Sequence, residues 1–200
     1  MLYWVMIRPD PARFKAFRWT LALATTLSGV LGGCGERASK GSPPDTPFVP
    51  APISIEELRA AEYPADLLDR TMVRLVAGVF TPPDSGRDAI ASLELHPMVA
   101  IPEPAEGLAR AAAIIMESGG GTGMFYWLHL LERTEGAPRV VASAYLGDRV
   151  EIVNLALAGD TVVVRLVTQG PTDAFCCPTL EVTRRYVRSG RELGEVRSEK

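Results

Sequence analysis

Residues 149–157 and 161–168 alternate apolar and polar side chains along two short runs joined by Ala158-Gly159-Asp160. A period of two is what a strand with one buried face produces, and a Gly-Asp step between two such runs suits a hairpin. The alternation predicts that Val150, Ile152, Val162, Val164 and Leu166 face inward. The same texture starts at Met72. Short segments rich in Val, Leu and Tyr, punctuated by turn residues, predict strands near 72–76, 78–81, 88–96, 110–117, 123–132, 139–146, 149–157, 161–168, 180–188 and 191–196, with Ser189-Gly190 joining the last pair. Residues 111–116 have helix propensity, but the run is brief and a glycine cluster follows it, so it reads as a buried strand. Upstream, Ser54 and Glu57 have the spacing of a capping box, and Ile53 and Leu58 are placed to staple the first turn. A short helix over 55–62 is then expected to stop before Pro64. The expected fold class is mainly β (a β-rich α+β): an antiparallel meander or sandwich-like domain with one short N-terminal helix, over 53–200.

The N-terminal third has a different character. Arg8, Arg13, Lys15 and Arg18 precede an apolar run, residues 19–31, that is closed by Gly32, Gly33 and Cys34. A charged start, an apolar stretch too short for a comfortable membrane span and a small-residue close make a signal peptide, expected over 1–33. The closing Leu31-Gly32-Gly33-Cys34 resembles the lipobox of bacterial lipoproteins. That resemblance implies that Cys34 receives a diacylglycerol, an anchor of the palmitate type, and becomes the mature N-terminus. Two or more acyl chains give stable attachment, at about 0.8 kcal/mol per buried methylene. Residues 35–52 hold five prolines and little apolar periodicity, so 34–52 is expected to be a lipidated N-terminus followed by a disordered, extended tether.

The full chain has 21 Lys+Arg, 24 Asp+Glu and a net charge of −3. Removing 1–33 takes away four of the basic residues and one acidic residue, which leaves a net charge of −6. An acidic domain without a basic stripe is a poor nucleic-acid binder, because phosphate neutralisation dominates such affinities. Arg184, Arg185, Arg188, Arg191 and Arg197 alternate with Glu181, Glu192, Glu195 and Glu199, and so read as a solvated strand face. No apolar stretch after the signal approaches about 20 residues, so the expected membrane partner is reached through lipid alone.

Chemistry-bearing residues are sparse. Cys176 and Cys177 are the most unusual pair, and three dispositions are open to them: a vicinal disulfide, two buried structural thiols, or a redox or soft-metal site. Side chains at ligand spacing to the pair are lacking, since the histidines are His96 and His129 alone. His129 shares a strand face with Phe125, Trp127 and Leu131 and reads as a hydrogen-bonded core residue. His96, before Pro97, reads as a strand end in solvent. The Gly119–Gly123 run lacks the Gly-Lys-Ser/Thr ending of a phosphate loop and precedes a strand, so a flexible strand connection is expected. Glu103 and Glu106 lack the oxygen-ligand density of a calcium loop. No catalytic, cofactor or metal residue is assigned, and no nucleophile–base–orienter trio stands out.

Three stretches carry a further resemblance: Tyr145-Leu146-Gly147-Asp148-Arg149-Val150, the run Gly170-Pro171-Thr172-Asp173-Ala174-Phe175-Cys176-Cys177-Pro178-Thr179, and Val182-Thr183-Arg184-Arg185-Tyr186. With weaker likeness at Glu62-Tyr63-Pro64 and 121–126, they resemble a group of uncharacterised bacterial envelope lipoproteins. These share a Leu-Gly-Asp-Arg-Val strand start and a Gly-Pro-x-Asp-x-x-Cys-Cys-Pro-Thr segment. The resemblance implies a β-rich, lipid-tethered domain facing the periplasm or exterior and supplies no catalytic residue. The aspartate-rich loop of that group is replaced here by 101–107, Ile-Pro-Glu-Pro-Ala-Glu-Gly, so no cation role is carried over. The leading expectation is a non-catalytic domain that binds an envelope protein, a cell-wall component or a small ligand. Redox or soft-metal chemistry at Cys176-Cys177 and a hydrolase with an unrecognised site are the alternatives.

Overall fold

Ser54 opens the ordered chain as the sequence spacing requires. Its Oγ accepts the Glu57 N–H at 3.2 Å, and the Glu57 carboxylate accepts the Ser54 N–H at 2.8 Å. This computed structural model describes residues 49–82, 92–104, 107–174 and 176–196, all within one unit spanning 44–200. The signal peptide, Cys34, tether residues 35–48, the first part of the strand expected at 88–96, Glu106, Phe175, Arg197 and Glu199 lie outside the described residues.

The helix α1 (Ile55–Arg59) is shorter than expected. In place of its last turn the chain forms a strand, β1 (Glu62–Ala65), which pairs with β2 (Thr71–Arg74) in a two-stranded antiparallel ribbon. Burial decides the matter, because Tyr63 and Ala65 alternate into a core that a helical register would leave unfilled. Pro64 is tolerated since a two-stranded ribbon leaves each strand an open side, where a missing N–H costs nothing. A single 3-10 turn at Asp66–Leu68 joins β1 to β2.

The remaining strands are β3 (Val79–Phe80), β4 (Ser92–Ala100), β5 (Ala109–Ser118), β6 (Phe125–Arg133), β7 (Arg139–Asp148), β8 (Glu151–Ala158), β9 (Thr161–Thr168), β10 (Leu180–Ser189) and β11 (Glu192–Val196). They form one sheet in the order β3-β4-β5-β6-β7-β11-β10-β9-β8. The fold is mainly β, as expected. Two antiparallel meanders, β3 to β7 and β8 to β11, meet at a parallel junction between β7 and β11. That junction is a single bridged pair, Ser143 with Glu192, held by Ser143 N–H to Arg191 O at 3.2 Å. The sheet curls until β8 lies alongside β4 and β5.

Curling gives the sheet an inside and an outside, each with its own core. Val150, Ile152, Val162, Val164 and Leu166 all pack inside, with Ile114, Leu128, Leu146 and Tyr186. A register shift between Ile152 and Asn154 changes the parity of β8, so Leu155 and Leu157 rather than their even-numbered neighbours continue the inward face. The outside of β5 and β6 is covered by α1 and the β1–β2 ribbon, which bury Ile53, Leu58, Tyr63 and Leu75 against Ala111, Ala113, Ile115 and Leu131. Residues 111–115 are therefore buried on both faces, which is why they read as an unbroken apolar run.

Arg133 fixes this cover in place. Its guanidinium pairs with the Glu57 carboxylate and donates to the carbonyls of Ala51 and Pro52. The body thus begins before Ile53, with Pro50 already buried, and the last residues of the expected tether belong to it. His96 does not end its strand: β4 runs on through Pro97, and a register shift between Leu95 and Val99 absorbs the proline. The His96 Nδ1 accepts the Met98 N–H at 3.1 Å.

Candidate functional site

Because β5 and β6 carry their cover on the outside, polar residues there either lie buried beneath the cover or stand at its rim. Glu117 and His129 lie beneath it, and the rim is a groove.

Glu117, at the end of β5, has no solvent exposure. Its two oxygens accept the backbone N–H groups of Asp66 and Leu67, at 2.9 and 3.1 Å, and so anchor the 3-10 turn. Burial outweighs these two bonds and pushes its carboxyl above the usual range, with Asp66 adding to the rise and Arg70 opposing it. His129 is also buried. Its Nδ1 lies 2.8 Å from Ser143 Oγ, its ring sits 5.4 Å from that of Tyr63, and its Nε2 has no partner among the described residues. Burial, with Arg70 adding to it, pushes the imidazole down to about 3. The ring is therefore neutral at physiological pH. A serine beside a histidine suggests a nucleophile and its base, but a base held near pH 3 does not take a serine proton at neutral pH. Among the described residues the second ring nitrogen also meets no carboxylate that would orient it. Ser143 and His129 are hydrogen-bonded to each other, the histidine beneath the cover.

The groove follows the outer side of β7. Three adjoining depressions of about 370, 350 and 590 Å³ share their lining residues. The first is apolar over most of its wall, formed by Leu67, Phe125, Trp127 and Tyr145, with Asp66 and Glu117 also in its lining. Trp127 and Tyr145 are paired across β6 and β7, their rings 4.9 Å apart and tilted by 47°. Both residues continue into the second depression, which is mostly polar and also holds Arg70, Ser143, Glu192 and Glu195. Arg70 and Ser143 continue into the third, where Arg139, Arg188 and Arg191 join them and no carboxylate contributes to the lining. Arg188 is partly neutralised by Glu132 at 2.8 Å, and Arg70 stands 3.7 Å from Asp66. Arg139 and Arg191 make no ion pair or side-chain hydrogen bond among the described residues. Asp69 and Arg70 both hold left-handed backbone, φ 52° and 58°, a conformation that costs a non-glycine residue about 1 kcal/mol or more. The backbone thus gives up energy where it presents Arg70 to the groove.

Arg188 and Arg191 are exposed, in keeping with the solvated face expected of the C-terminal arginines, and they also line the third depression. Other arginines pair or are used internally: Arg165 pairs with Glu181, and Arg184 donates to Leu146 O at 2.9 Å.

The remaining singled-out residues lie away from the groove. Cys176 and Cys177 are joined in a vicinal disulfide with Cα atoms 3.8 Å apart, and both are exposed. The alternative of two buried thiols is thereby excluded. The bond sits in the β9–β10 connection, which Asp173 closes by accepting the N–H of Gly170, the N–H of Thr179 and the Thr179 hydroxyl. These donors hold the Asp173 carboxyl below its usual range. Gly119–Gly123 joins β5 to β6 and is gripped by the β7–β8 corner rather than left slack. Arg149 Nε donates to Thr122 O at 2.8 Å, Arg149 N–H to Met124 O, and the Asp148 carboxylate accepts the Met124 N–H. Gly147 is required at this corner, because with φ +145° a Cβ there would stand 2.7 Å from Val150 Cγ1. Glu103 is exposed, and among the described residues no three His, Cys, Asp or Glu side chains converge on a metal position. No described helix is long and apolar enough to cross a membrane.

Compared with known proteins, the chain matches no family model, no curated sequence and no solved structure.

Proposed function

We propose that this chain is an exported, lipid-anchored bacterial cell-envelope protein whose β domain is a non-catalytic binding module, with the β7 groove as its binding site. The observation that carries the binding reading is the composite groove, aromatic at Trp127 and Tyr145 and cationic at Arg139 and Arg191, which form no ion pair among the described residues. Concave sites with a few convergent polar groups on a largely apolar wall are the usual form of ligand pockets. The low basicity of His129 weighs against hydrolysis at Ser143. Export and anchoring are supported by the charged start, the short apolar run and the Leu-Gly-Gly-Cys close at Cys34.

Metabolic labelling with a radioactive fatty acid, with mass analysis of the mature N-terminus, tests the anchor. Label is expected on the native chain beginning at Cys34 and not on Cys34→Ala. An unlabelled chain that keeps residues 1–33 overturns it.

A second reading is favoured by the exposure of the Cys176–Cys177 bond. A two-electron reduction by an external dithiol would open it to two thiols able to exchange or to hold a soft ion such as Cu(I). Thiol titration of the native chain before and after mild reduction decides this reading. It stands if two thiols appear and re-oxidise reversibly, and it falls if the bond resists until the chain unfolds.

A further inference from the structure

The wide end of the groove is electrically unusual for this chain. The protein is acidic overall, yet a depression of about 590 Å³ is lined by Arg70, Arg139, Arg188 and Arg191 with no carboxylate among its walls. Some of this charge is already answered. Glu132 meets Arg188, although it is shared with Arg110 at 3.1 Å, and Asp66 stands off Arg70 at 3.7 Å. Arg139 and Arg191 make no ion pair or side-chain hydrogen bond among the described residues, although Glu132 stands opposite Arg139 in the register and Glu192 follows Arg191 in the chain. They come from opposite sides of the β7–β11 junction: Arg139 begins β7, and the Arg191 carbonyl receives the Ser143 N–H. Two unpaired guanidiniums brought to one concavity from strands far apart in sequence raise the potential there and favour a ligand of opposite sign. The planar guanidinium fork matches the oxygens of carboxylates and phosphates, and it binds them more selectively than an ammonium does.

From these observations we infer that the wide end of the groove binds a dianionic group, a phosphomonoester or a pair of carboxylates, between Arg139 and Arg191. The rest of the ligand runs along β7 toward Trp127 and Tyr145. The strand sets the scale. At roughly 3.3 Å per residue, Ser143 and Tyr145 are about 7 Å apart and Arg139 and Tyr145 about 20 Å. A ligand with a dianionic head and an uncharged aromatic body fits this path, because Glu192 and Glu195 line the middle depression beside Arg70 and would repel a second anionic group there. This inference rests on the reading of the β7 groove as a binding site and is independent of anchoring at Cys34.

Trp127 makes the test direct, since the other two tryptophans, Trp4 and Trp19, precede Cys34. In the full chain carrying Trp4→Phe and Trp19→Phe, indole fluorescence reports the groove alone. Four probes are titrated at low salt: inorganic phosphate, citrate, 4-phenylbutyl phosphate and uncharged 4-phenylbutanol. The phosphorylated phenylbutyl probe is expected to bind at least tenfold more tightly than either inorganic phosphate or 4-phenylbutanol and to shift Trp127 emission. The Arg139→Gln, Arg191→Gln double variant should weaken all three anions at least tenfold and leave the melting temperature and 4-phenylbutanol affinity unchanged. The stronger of phosphate and citrate identifies the head group. If 4-phenylbutanol binds as tightly as its phosphate, or the double variant binds anions as well as the parent, the dianion inference falls while the groove survives as a binding site. If no probe changes Trp127 emission or melting temperature, both readings fall.

Discussion

The β8–β9 hairpin and the β5–β6 hairpin belong to one curled sheet, yet their residues are spent differently. Along β8 and β9 one face is buried and the other is wet, so apolar and polar residues alternate. Along β5 and β6 both faces are buried over most of their length, because α1 and the β1–β2 ribbon cover the outside. The first hairpin has one environment to satisfy. The second has two, and the outer one admits a buried carboxyl and a buried imidazole, at Glu117 and His129. The cover is thus a packing layer of its own over the sheet, and the candidate groove lies along its rim.

The largest effect should come from cutting each core in turn. Leu166→Ala, in the inner core, is expected to cost about 3–4 kcal/mol in denaturant unfolding and to expose the whole sheet to amide exchange. Leu58→Ala, in the outer core, should instead release protection over 53–76 first and leave β8 and β9 protected. If Leu58→Ala exposes β8 and β9 equally, the two layers are one cooperative unit and the comparison breaks.

Next in size are the two buried titratable groups, whose pH dependences have opposite signs. His129 has its basicity depressed in the fold, so between about 6.5 and 3 the unfolded chain binds the extra proton. Stability is complete above about 6.5 and falls as pH drops, by at most about 1.4 kcal/mol per pH unit. Glu117 is raised above 4.5, so its contribution is complete below that value and is lost as pH climbs through the raised one. Stability against pH for His129→Leu and Glu117→Gln, each taken as a difference from the parent, should remove one slope apiece. The same sign of change in both variants would mean that the cover does not control both groups.

Smaller again is Ser54→Ala, which removes one half of the capping box. It is expected to cost about 1 kcal/mol and to raise amide exchange in α1 alone. Smallest is Arg139→Gln, which breaks no bond among the described residues and should leave thermal stability within about 0.5 kcal/mol. A marked loss there would give Arg139 a role in folding rather than at the groove.

Strand positions were legible where one physical rule acted alone. The inward set of β8 and β9 follows from alternation, and the cap of α1 follows from the Ser54–Glu57 spacing. Legibility failed where a distant segment decided the outcome. Glu62-Tyr63-Pro64-Ala65 reads as the tail of a helix until the outer surface of β5 and β6 offers Tyr63 and Ala65 a place to be buried. The parallel β7–β11 junction leaves no local trace, since one bridged pair imposes no pattern on either strand. The groove was the least legible of all, because Arg70, Arg139, Arg188 and Arg191 come from four separate stretches. One signal did point that way. Phe125, Trp127, His129 and Leu131 make one face of β6 while Leu128 and Leu130 fill the other, and a strand apolar on both sides requires something to cover it. The Leu-Gly-Asp-Arg-Val motif proves architectural: Asp148 and Arg149 clasp the glycine run, and Gly147 makes room for Val150.

The grip of Arg133 on Glu57 and on the carbonyls of Ala51 and Pro52 also decides how the molecule bears load. Tension arriving along the chain from its N-terminal side meets that guanidinium first and is handed to the far end of β6. The ribbon lies beyond that clamp along the chain, so a pull is expected to reach it only after the clamp has opened.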